Sequence, residues 1–225
     1  MIPWRELGRA SVPGEDAPLV LFSHGSEFVI RIGPHALMSS SAHGSEEALA
    51  ELACERMAGR VGARVLIGGL GMGFTLAAAL EHLPTDAQVV VAELIPAVVE
   101  WNRGPLAGLA NRPLEDPRVT VCEMDVAEMI RGREADYSVI LLDVDNGPSG
   151  LTRSSNDRLY TPAGLSTAFR ALRDGGVLGV WSVAPDHEFT RRLGDIGFEV
   201  EEHIVRARRT RGGRHTLWLA TRPGR

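Results

Sequence analysis

Glycines are concentrated in one short stretch, directly after an apolar segment with the composition of a β-strand. The segment Arg64-Val65-Leu66-Ile67 leads into Gly68-Gly69-Leu70-Gly71-Met72-Gly73. Glycine permits a sharp turn and a close approach of the backbone to a ligand, and the start of a following helix offers free N–H groups. The pattern predicts a ligand-binding loop containing Gly68, Gly69, Gly71 and Gly73. A tight turn that serves packing alone is the alternative.

Two common nucleotide sites do not match this loop. A dinucleotide-binding loop would carry a further glycine at position 74, where this chain has Phe74. A Walker phosphate loop needs a Lys, and the chain contains none. The absence of Lys also excludes Schiff-base chemistry on a lysine side chain.

Carboxylates follow the next two predicted strands. Glu93 ends the strand predicted over 88–93, beside Leu94, and an acid there can accept hydrogen bonds from both hydroxyls of a ribose. Asp125, beside Val126, follows the strand predicted over 118–122. Asp125 could receive an adenine amino group or cap the next helix, and one side chain could do both. These four residues are candidate cofactor-binding residues.

A third carboxylate follows the most apolar predicted strand, which covers 137–143. Asp143 ends this strand, and Asp145 and Asn146 lie on the adjoining loop. A carboxylate at the mouth of a cleft can hold the amine of a cofactor or act as a general base. A turn-stabilising role for one of the three side chains is the alternative.

Strand and helix patterns alternate from Arg64 onward, which predicts right-handed βαβ units and a mostly parallel sheet. The later elements of this series are a helix predicted over 162–173 and a strand predicted over 177–182. The chain then finishes in two strands joined at Gly212-Gly213, a hairpin signal. This outline predicts an α/β, Rossmann-like class I methyltransferase fold, with a mostly parallel seven-stranded sheet that ends in an antiparallel hairpin. Before it, we expect residues 1–43 to form a small N-terminal β-hairpin segment of two or three strands, and residues 44–225 to form the catalytic domain. We expect loops over 5–18 and 145–160.

Composition excludes several classes of protein. The chain has 225 residues, 44% of them apolar, and a net charge of −5, so nothing favours nucleic acid as a partner. No apolar run reaches the roughly 18 residues that span a bilayer, and no signal-peptide pattern begins the chain. We therefore expect a cytoplasmic protein without a membrane partner. Cys54 and Cys122 match no metal spacing, and we expect no metal.

The glycine loop, Glu93, Asp125, the stretch 143–148 and Leu159-Tyr160-Thr161 together resemble the spermidine synthase (polyamine aminopropyltransferase) group. The resemblance covers most of the chain, roughly 19–220. It implies S-adenosylmethionine (SAM) or decarboxylated SAM as cofactor, a small-molecule acceptor and a homodimer. It also implies a role for each of three acids. Glu93 would bind ribose, Asp125 would contact adenine, and Asp143 would help to deprotonate the attacking amine.

The sequence departs from that group at positions that bind the cofactor's amine and the polyamine. Leu70 stands where spermidine synthases carry an Asp that binds the cofactor's amine, and only Glu46 remains of an Asp-Glu pair at the first long helix. A neighbouring Asp would repel the carboxylate of SAM, whereas Leu70 does not. We therefore prefer methyl transfer from SAM over aminopropyl transfer to a polyamine, and a non-catalytic SAM-binding protein is a further alternative. The candidate catalytic residues are Asp143, Asp145, Tyr160 and Glu46.

Overall fold

The computed structural model describes residues 3–57, 60–144, 147–148, 156–208 and 210–224. Two sheets are present in these ranges. The first is a four-stranded antiparallel sheet of strands in chain order, β1 (Arg5–Ala10), β2 (Leu19–His24), β3 (Glu27–Ile32) and β4 (His35–Ser39). The sequence predicted two or three strands here and a loop over 5–18. That loop prediction was wrong for 5–10, because these residues pair with β2 along its free edge.

The second sheet has seven strands in the order β10-β11-β9-β8-β5-β6-β7. All neighbours from β9 to β7 pair in parallel, and β11 pairs antiparallel with both β9 and β10. This arrangement confirms the predicted class I methyltransferase fold. The strands are β5 (Arg64–Gly68), β6 (Gln88–Ala92), β7 (Val119–Cys122), β8 (Tyr137–Leu142), β9 (Leu172–Ser182), β10 (Glu199–Arg208) and β11 (Arg211–Thr221).

Helices cover both faces of this sheet, which explains why β8 is buried along its whole length. They are α1 (Gly44–Cys54), α2 (Phe74–His82), α3 (Pro96–Arg103), α4 (Val126–Ile130), α5 (Asp157–Tyr160), α6 (Pro162–Ala171) and α7 (His187–Ile196). The helix α5 lies within the loop that we expected over 145–160, so that expectation was wrong for 157–160. Among the described residues, no helix is long and apolar enough to cross a bilayer.

The N-terminal sheet packs on the main sheet rather than standing apart. Leu21 and Ile30 of the small sheet belong to the same buried cluster as Leu49 of α1 and Val65 of β5. Gly8 on β1 lies so close to the indole of Trp101 on α3 that any side chain there would collide with it. An antiparallel sheet of this size needs its apolar face covered, and the shared core provides that cover.

Candidate active site

The glycine loop adopts a backbone that other residues rarely adopt. Gly69, Gly71 and Gly73 have φ values of +88°, +53° and +85°. A side chain at position 69 would also collide with the carbonyl oxygen of Asp143, which follows β8. The loop therefore lies directly against the neighbouring strand end, at the point where the chain order of the sheet reverses between β5 and β8. Ligands bind at such switch points in open α/β sheets.

Glu93 holds this loop from the end of β6. Its Oε2 accepts a hydrogen bond from the backbone N–H of Leu70 at 2.9 Å, and its Oε1 accepts one from the N–H of Ile95 at 2.8 Å. The side chain is buried. Glu93 therefore fixes the loop through both of its carboxylate oxygens.

Asn102 on α3 supports the loop from the other side. Its amide Nδ2 donates to the carbonyl oxygens of Gly71 at 2.8 Å and Val98 at 2.9 Å, and the residue is buried. The sequence analysis missed this residue. The available signal was a polar side chain four positions after Val98, on the face of the helix that packs into the core.

A cleft opens beside the loop. Its polar groups come from strand ends of the main sheet, and its apolar roof comes from the N-terminal sheet, through Leu19, Ile30, Leu37 and Met38. We call this space the main cleft. Of the predicted cofactor-binding residues, it is lined by Gly69, Gly71, Glu93, Leu94, Asp125, Val126 and Asp143. Its mixture of apolar walls with a few polar groups is typical of a small-molecule site.

Asp125 lies at the rim of the main cleft and also caps α4. Its side chain accepts a hydrogen bond from the N–H of Ala127 at 2.8 Å, and it pairs with Arg158. Val126 packs directly against Gly68, since a Cβ at position 68 would lie 2.8 Å from Cγ2 of Val126. Gly68 thus contributes to the site by close packing rather than by lining the cleft.

Asp143 occupies the junction between the main cleft and a second, smaller pocket. Thr75 on α2 donates its hydroxyl to Oδ2 of Asp143 at 2.5 Å. Burial raises the pKa of Asp143 to about 6, although the Thr75 hydrogen bond opposes this shift. A carboxyl group with a pKa in this range can both take and release a proton near neutral pH.

The smaller pocket, which we call the side pocket, brings Glu46 to the same place. Burial and the charge of Asp143 raise the pKa of Glu46 to about 7, and a hydrogen bond from Ser45 opposes that shift. Leu70 also lines this pocket, so the residue that replaces the expected Asp faces the two carboxyl groups. The lining residues of the side pocket are Met38, Ser39, Glu46, Leu70, Gly71, Met72, Phe74, Thr75 and Asp143.

The remaining candidates lie farther from these pockets or outside the described residues. Tyr160 is buried, its ring packs edge-on against Phe189, and its hydroxyl donates to the carbonyl oxygen of Val144 at 3.4 Å. It therefore supports the segment after Asp143 and lines neither pocket. Asp145 lies outside the described residues. Within the described part of the chain, no group of three His, Cys, Asp or Glu side chains is arranged to hold a metal ion.

Two kinds of relative match about half of the chain. Putrescine N-methyltransferase 2 of Nicotiana tabacum is 32% identical over 115 residues, which are 51% of this chain and 31% of that protein. The polyamine aminopropyltransferase of Mycobacterium tuberculosis is 33% identical over 128 residues, which are 55% of this chain and 24% of that protein. The chain thus matches about a third or less of the length of these relatives. No protein-family model matches it.

Solved structures extend the likeness to nearly the whole chain. A spermidine synthase from Thermotoga maritima has a TM-score of 0.77 at 18% identity, and a spermidine synthase in complex with the transition-state analogue AdoDATO has 0.76 at 18%. Each covers 96% of this chain and 72% of the matched chain. At this identity the match establishes the fold. The comparisons confirm the resemblance found in the sequence: this chain is similar to the spermidine synthase-like group, which it matches in sequence over half its length and in fold over almost all of it.

Proposed function

We propose that the chain is a SAM-dependent transferase that acts on a small-molecule nucleophile. The observation that carries this proposal is the pair of adjoining pockets that share Met38, Gly71 and Asp143. The main cleft has the groups that a nucleoside requires, and the side pocket has carboxyl groups that can take a proton from an acceptor. Asp143 lies where the two pockets meet, which is where a transferred group would pass.

The residues of the main cleft suit a SAM-type cofactor. Gly69 and Gly71 line this cleft with backbone alone, and a side chain at either position would collide with Asp143 or Met38. The carboxylate of Glu93 suits ribose hydroxyls, and Asp125 at the rim suits an adenine amino group, with Leu94 and Val126 on the walls. When bound, such a cofactor supplies an electrophilic carbon on a positively charged sulfur. A buried carboxylate such as Asp143 interacts favourably with that positive charge.

The side pocket suits an acceptor with one protonated amine or one hydroxyl. Asp143 and Glu46 can accept a proton from the acceptor, and each retains a raised pKa only while no cation is close. The other walls are apolar, with Leu70, Met72 and Phe74 among them. Asp145 stays a candidate catalytic residue from the sequence alone. Tyr160, proposed from the sequence as catalytic, contributes here by supporting the segment that follows Asp143.

Methyl transfer is the preferred reaction, and aminopropyl transfer is the alternative. Leu70 places no charge in the pocket where an aminopropyltransferase would need a carboxylate for the cofactor's amine. A pocket with several carboxylates would favour a polyamine. The described residues of the side pocket include two carboxylates, Glu46 and Asp143. The named activity of the Nicotiana relative, methyl transfer to putrescine, is consistent with this preference and makes a primary amine the first acceptor to test.

Binding and product assays test the proposal separately. Calorimetry with SAM and with decarboxylated SAM measures cofactor choice, and mass spectrometry of products measures the reaction with a panel of amines and alcohols. We expect methylated product and negligible spermidine from putrescine and decarboxylated SAM. Efficient spermidine formation would reverse the preference. SAM binding without any product from the panel would favour the non-catalytic alternative.

Asp143→Asn is the decisive variant for the site. The change keeps the shape of the side chain and removes its ability to take a proton, so we expect the rate to fall by about 10² or more. Asp195→Asn is a matched control on an exposed position of α7. Equal activity of the two variants would remove Asp143 from the reaction.

The assembly and location of the protein are further proposals. The resemblance implies a homodimer, and light scattering of the purified protein at micromolar concentration should give twice the chain mass of 24.3 kDa. A monomer under these conditions would contradict this proposal. The cytoplasmic location stays a prediction from the sequence.

A further inference from the structure

A buried serine and a half-buried histidine connect the side pocket with the C-terminal hairpin. Ser45, in the first turn of α1, is fully buried and donates to Oε2 of Glu46 at 2.5 Å. Its oxygen also lies 2.8 Å from Nδ1 of His215 on β11. The atoms of Glu46, Ser45 and His215 therefore form one continuous series of hydrogen bonds that begins at a wall of the side pocket.

The two ring nitrogens of His215 have different neighbours. The indole of Trp181 packs against the ring at 4.6 Å between ring centroids, with the planes 64° apart. Nδ1 lies 2.8 Å from the oxygen of Ser45, and Nε2 lies 3.7 Å from the position that a Cβ would take on Gly213, an exposed residue near the start of β11. The series of hydrogen bonds thus leads from the side pocket towards an exposed part of the hairpin.

We propose that Ser45 and His215 relay a proton from Glu46 to solvent, so that the carboxyl groups of the side pocket regain their charge between turnovers. The inference rests on the proposed function, because it supposes that the side pocket accepts a proton from an acceptor. One proton leaves the acceptor nitrogen or oxygen and reaches Glu46, directly or through Asp143. Glu46 then donates to Oγ of Ser45, Ser45 donates its own proton to the unprotonated Nδ1 of His215, and His215 releases one from Nε2. The ring is then protonated on Nδ1, and rotation of the Ser45 hydroxyl and of the imidazole restores the starting arrangement before the next turnover. No oxidant or reductant takes part.

The charges around the relay are compatible with transfer in this direction. Burial lowers the pKa of His215 from its ordinary value of 6.5, while the pKa of Glu46 is raised to about 7. The proton therefore moves to a group that holds it less tightly, and an imidazolium at His215 releases it readily to solvent. Glu46 and Glu47 follow Ser45 on α1, and in the hairpin Arg206 pairs with Arg214 beside the Val205–His215 pair. Trp181 of β9 is uncharged.

If Ser45 and His215 only hold α1 against β11, a change at His215 should reduce the rate equally at all pH values. A relay predicts a loss that depends on pH. His215→Asn keeps a hydrogen-bonding amide near Ser45 but cannot carry the proton onward. We expect this variant to lose at least tenfold in rate at pH 7 and less than threefold at pH 9, with its unfolding temperature and its affinity for SAM close to those of the unchanged protein. His203→Asn, on the paired strand β10 of the same hairpin, is the control and should retain its rate within twofold.

Rescue by a small molecule gives a second measurement. Imidazole added to the smaller variant His215→Ala should restore part of the rate at pH 7, because it can take the proton from Ser45 in the vacated space. A rate that is equally reduced at pH 7 and pH 9, without rescue, would overturn the relay and assign Ser45 and His215 to structural support.

Nuclear magnetic resonance of the protein without cofactor tests the hydrogen bonds independently of activity. The relay requires that the titration of the His215 ring shifts when Glu46 is changed to Gln and that its Nδ1 signal shifts in Ser45→Ala. Absence of both shifts would overturn the inference, even in a protein that proves inactive. Normal pH profiles of the His215 variants in an active enzyme would overturn the relay alone and leave the proposed function intact.

Discussion

Replacing Glu46 with Gln would remove one of the two carboxyl groups that face each other in the side pocket. Gln has nearly the same shape, and its carbonyl oxygen can still accept the hydrogen bond that Ser45 donates to Oε2 of Glu46. The substitution therefore changes the charge and leaves the packing almost unchanged. Its effect on stability should depend on pH in a way that a packing change does not.

The magnitude follows from the pKa of Glu46, which is raised from 4.5 to about 7 in the folded protein. A carboxyl group with a raised pKa binds its proton more tightly in the folded state. Its contribution to the free energy of unfolding is fully present below pH 4.5 and is lost as the pH rises to about 7. At about 1.4 kcal/mol per pH unit, this loss is at most about 3.5 kcal/mol. Because Glu46 and Asp143 titrate together, we expect Glu46→Gln to recover about 2 kcal/mol at pH 8.

Denaturant unfolding of the protein without cofactor, at pH 5 and pH 8, measures this difference. The variant should match the unchanged protein within about 1 kcal/mol at pH 5 and exceed it by about 2 kcal/mol at pH 8. Glu51→Gln on the same helix is the control, because Glu51 lies in the groove against α2 rather than in the side pocket, and it should change stability by less than about 0.5 kcal/mol. An equal change at both pH values would refute the reasoning about the buried pair.

Three further predictions concern the main cleft. Gly71→Val should abolish SAM binding measured by calorimetry while the protein stays folded, because position 71 has φ +53° and approaches Met38. The control is Gly108→Ala, a change in open space, which should leave SAM binding normal. Glu93→Ala should weaken SAM binding by about 1–3 kcal/mol, and unchanged affinity would contradict the assignment to ribose. Asn102→Ala removes the side chain that donates a hydrogen bond to the Gly71 carbonyl oxygen, and it should lower the free energy of unfolding by about 1–2 kcal/mol. An unchanged free energy of unfolding, measured with denaturant, would show that Asn102 does not stabilise the glycine loop.

Local sequence patterns predicted best the elements whose ends are marked by glycine or by another turn-forming residue. β5 was predicted with the bounds that the structure has, because an apolar run ends at a glycine cluster. The fold class followed from the alternation of strands and helices and from the final hairpin. β1 was missed, because the segment Arg5–Ala10 has no clear alternation of apolar residues. Its pairing depends on the edge of β2 and on contact with Trp101, neither of which a local pattern can indicate.

Strand length was also decided by tertiary contacts. The sequence predicted a helix over 162–173 and a strand over 177–182, whereas α6 ends at Ala171 and β9 begins at Leu172. Leu172 pairs with Tyr137 of β8 at the lower edge of the sheet. Backbone pairing with β8 extends β9 at this end. Backbone hydrogen bonds do not depend on the order of apolar and polar side chains, so the sequence pattern does not predict the extension.

The sequence by itself determined which residues were available for the chemistry and at which strand ends they lie. Glycines with left-handed backbone angles and acids after apolar strands are local features, and the parallel sheet brings their strand ends to one edge. Only the tertiary structure decided which of them meet. Asp143 faces Glu46 across the side pocket, Asn102 holds Gly71, and Ser45 reaches His215 at the far end of the chain. Hydrogen bonds between residues so distant in sequence depend on the packing of α1, α3 and β11 around the core, and no spacing rule predicts them.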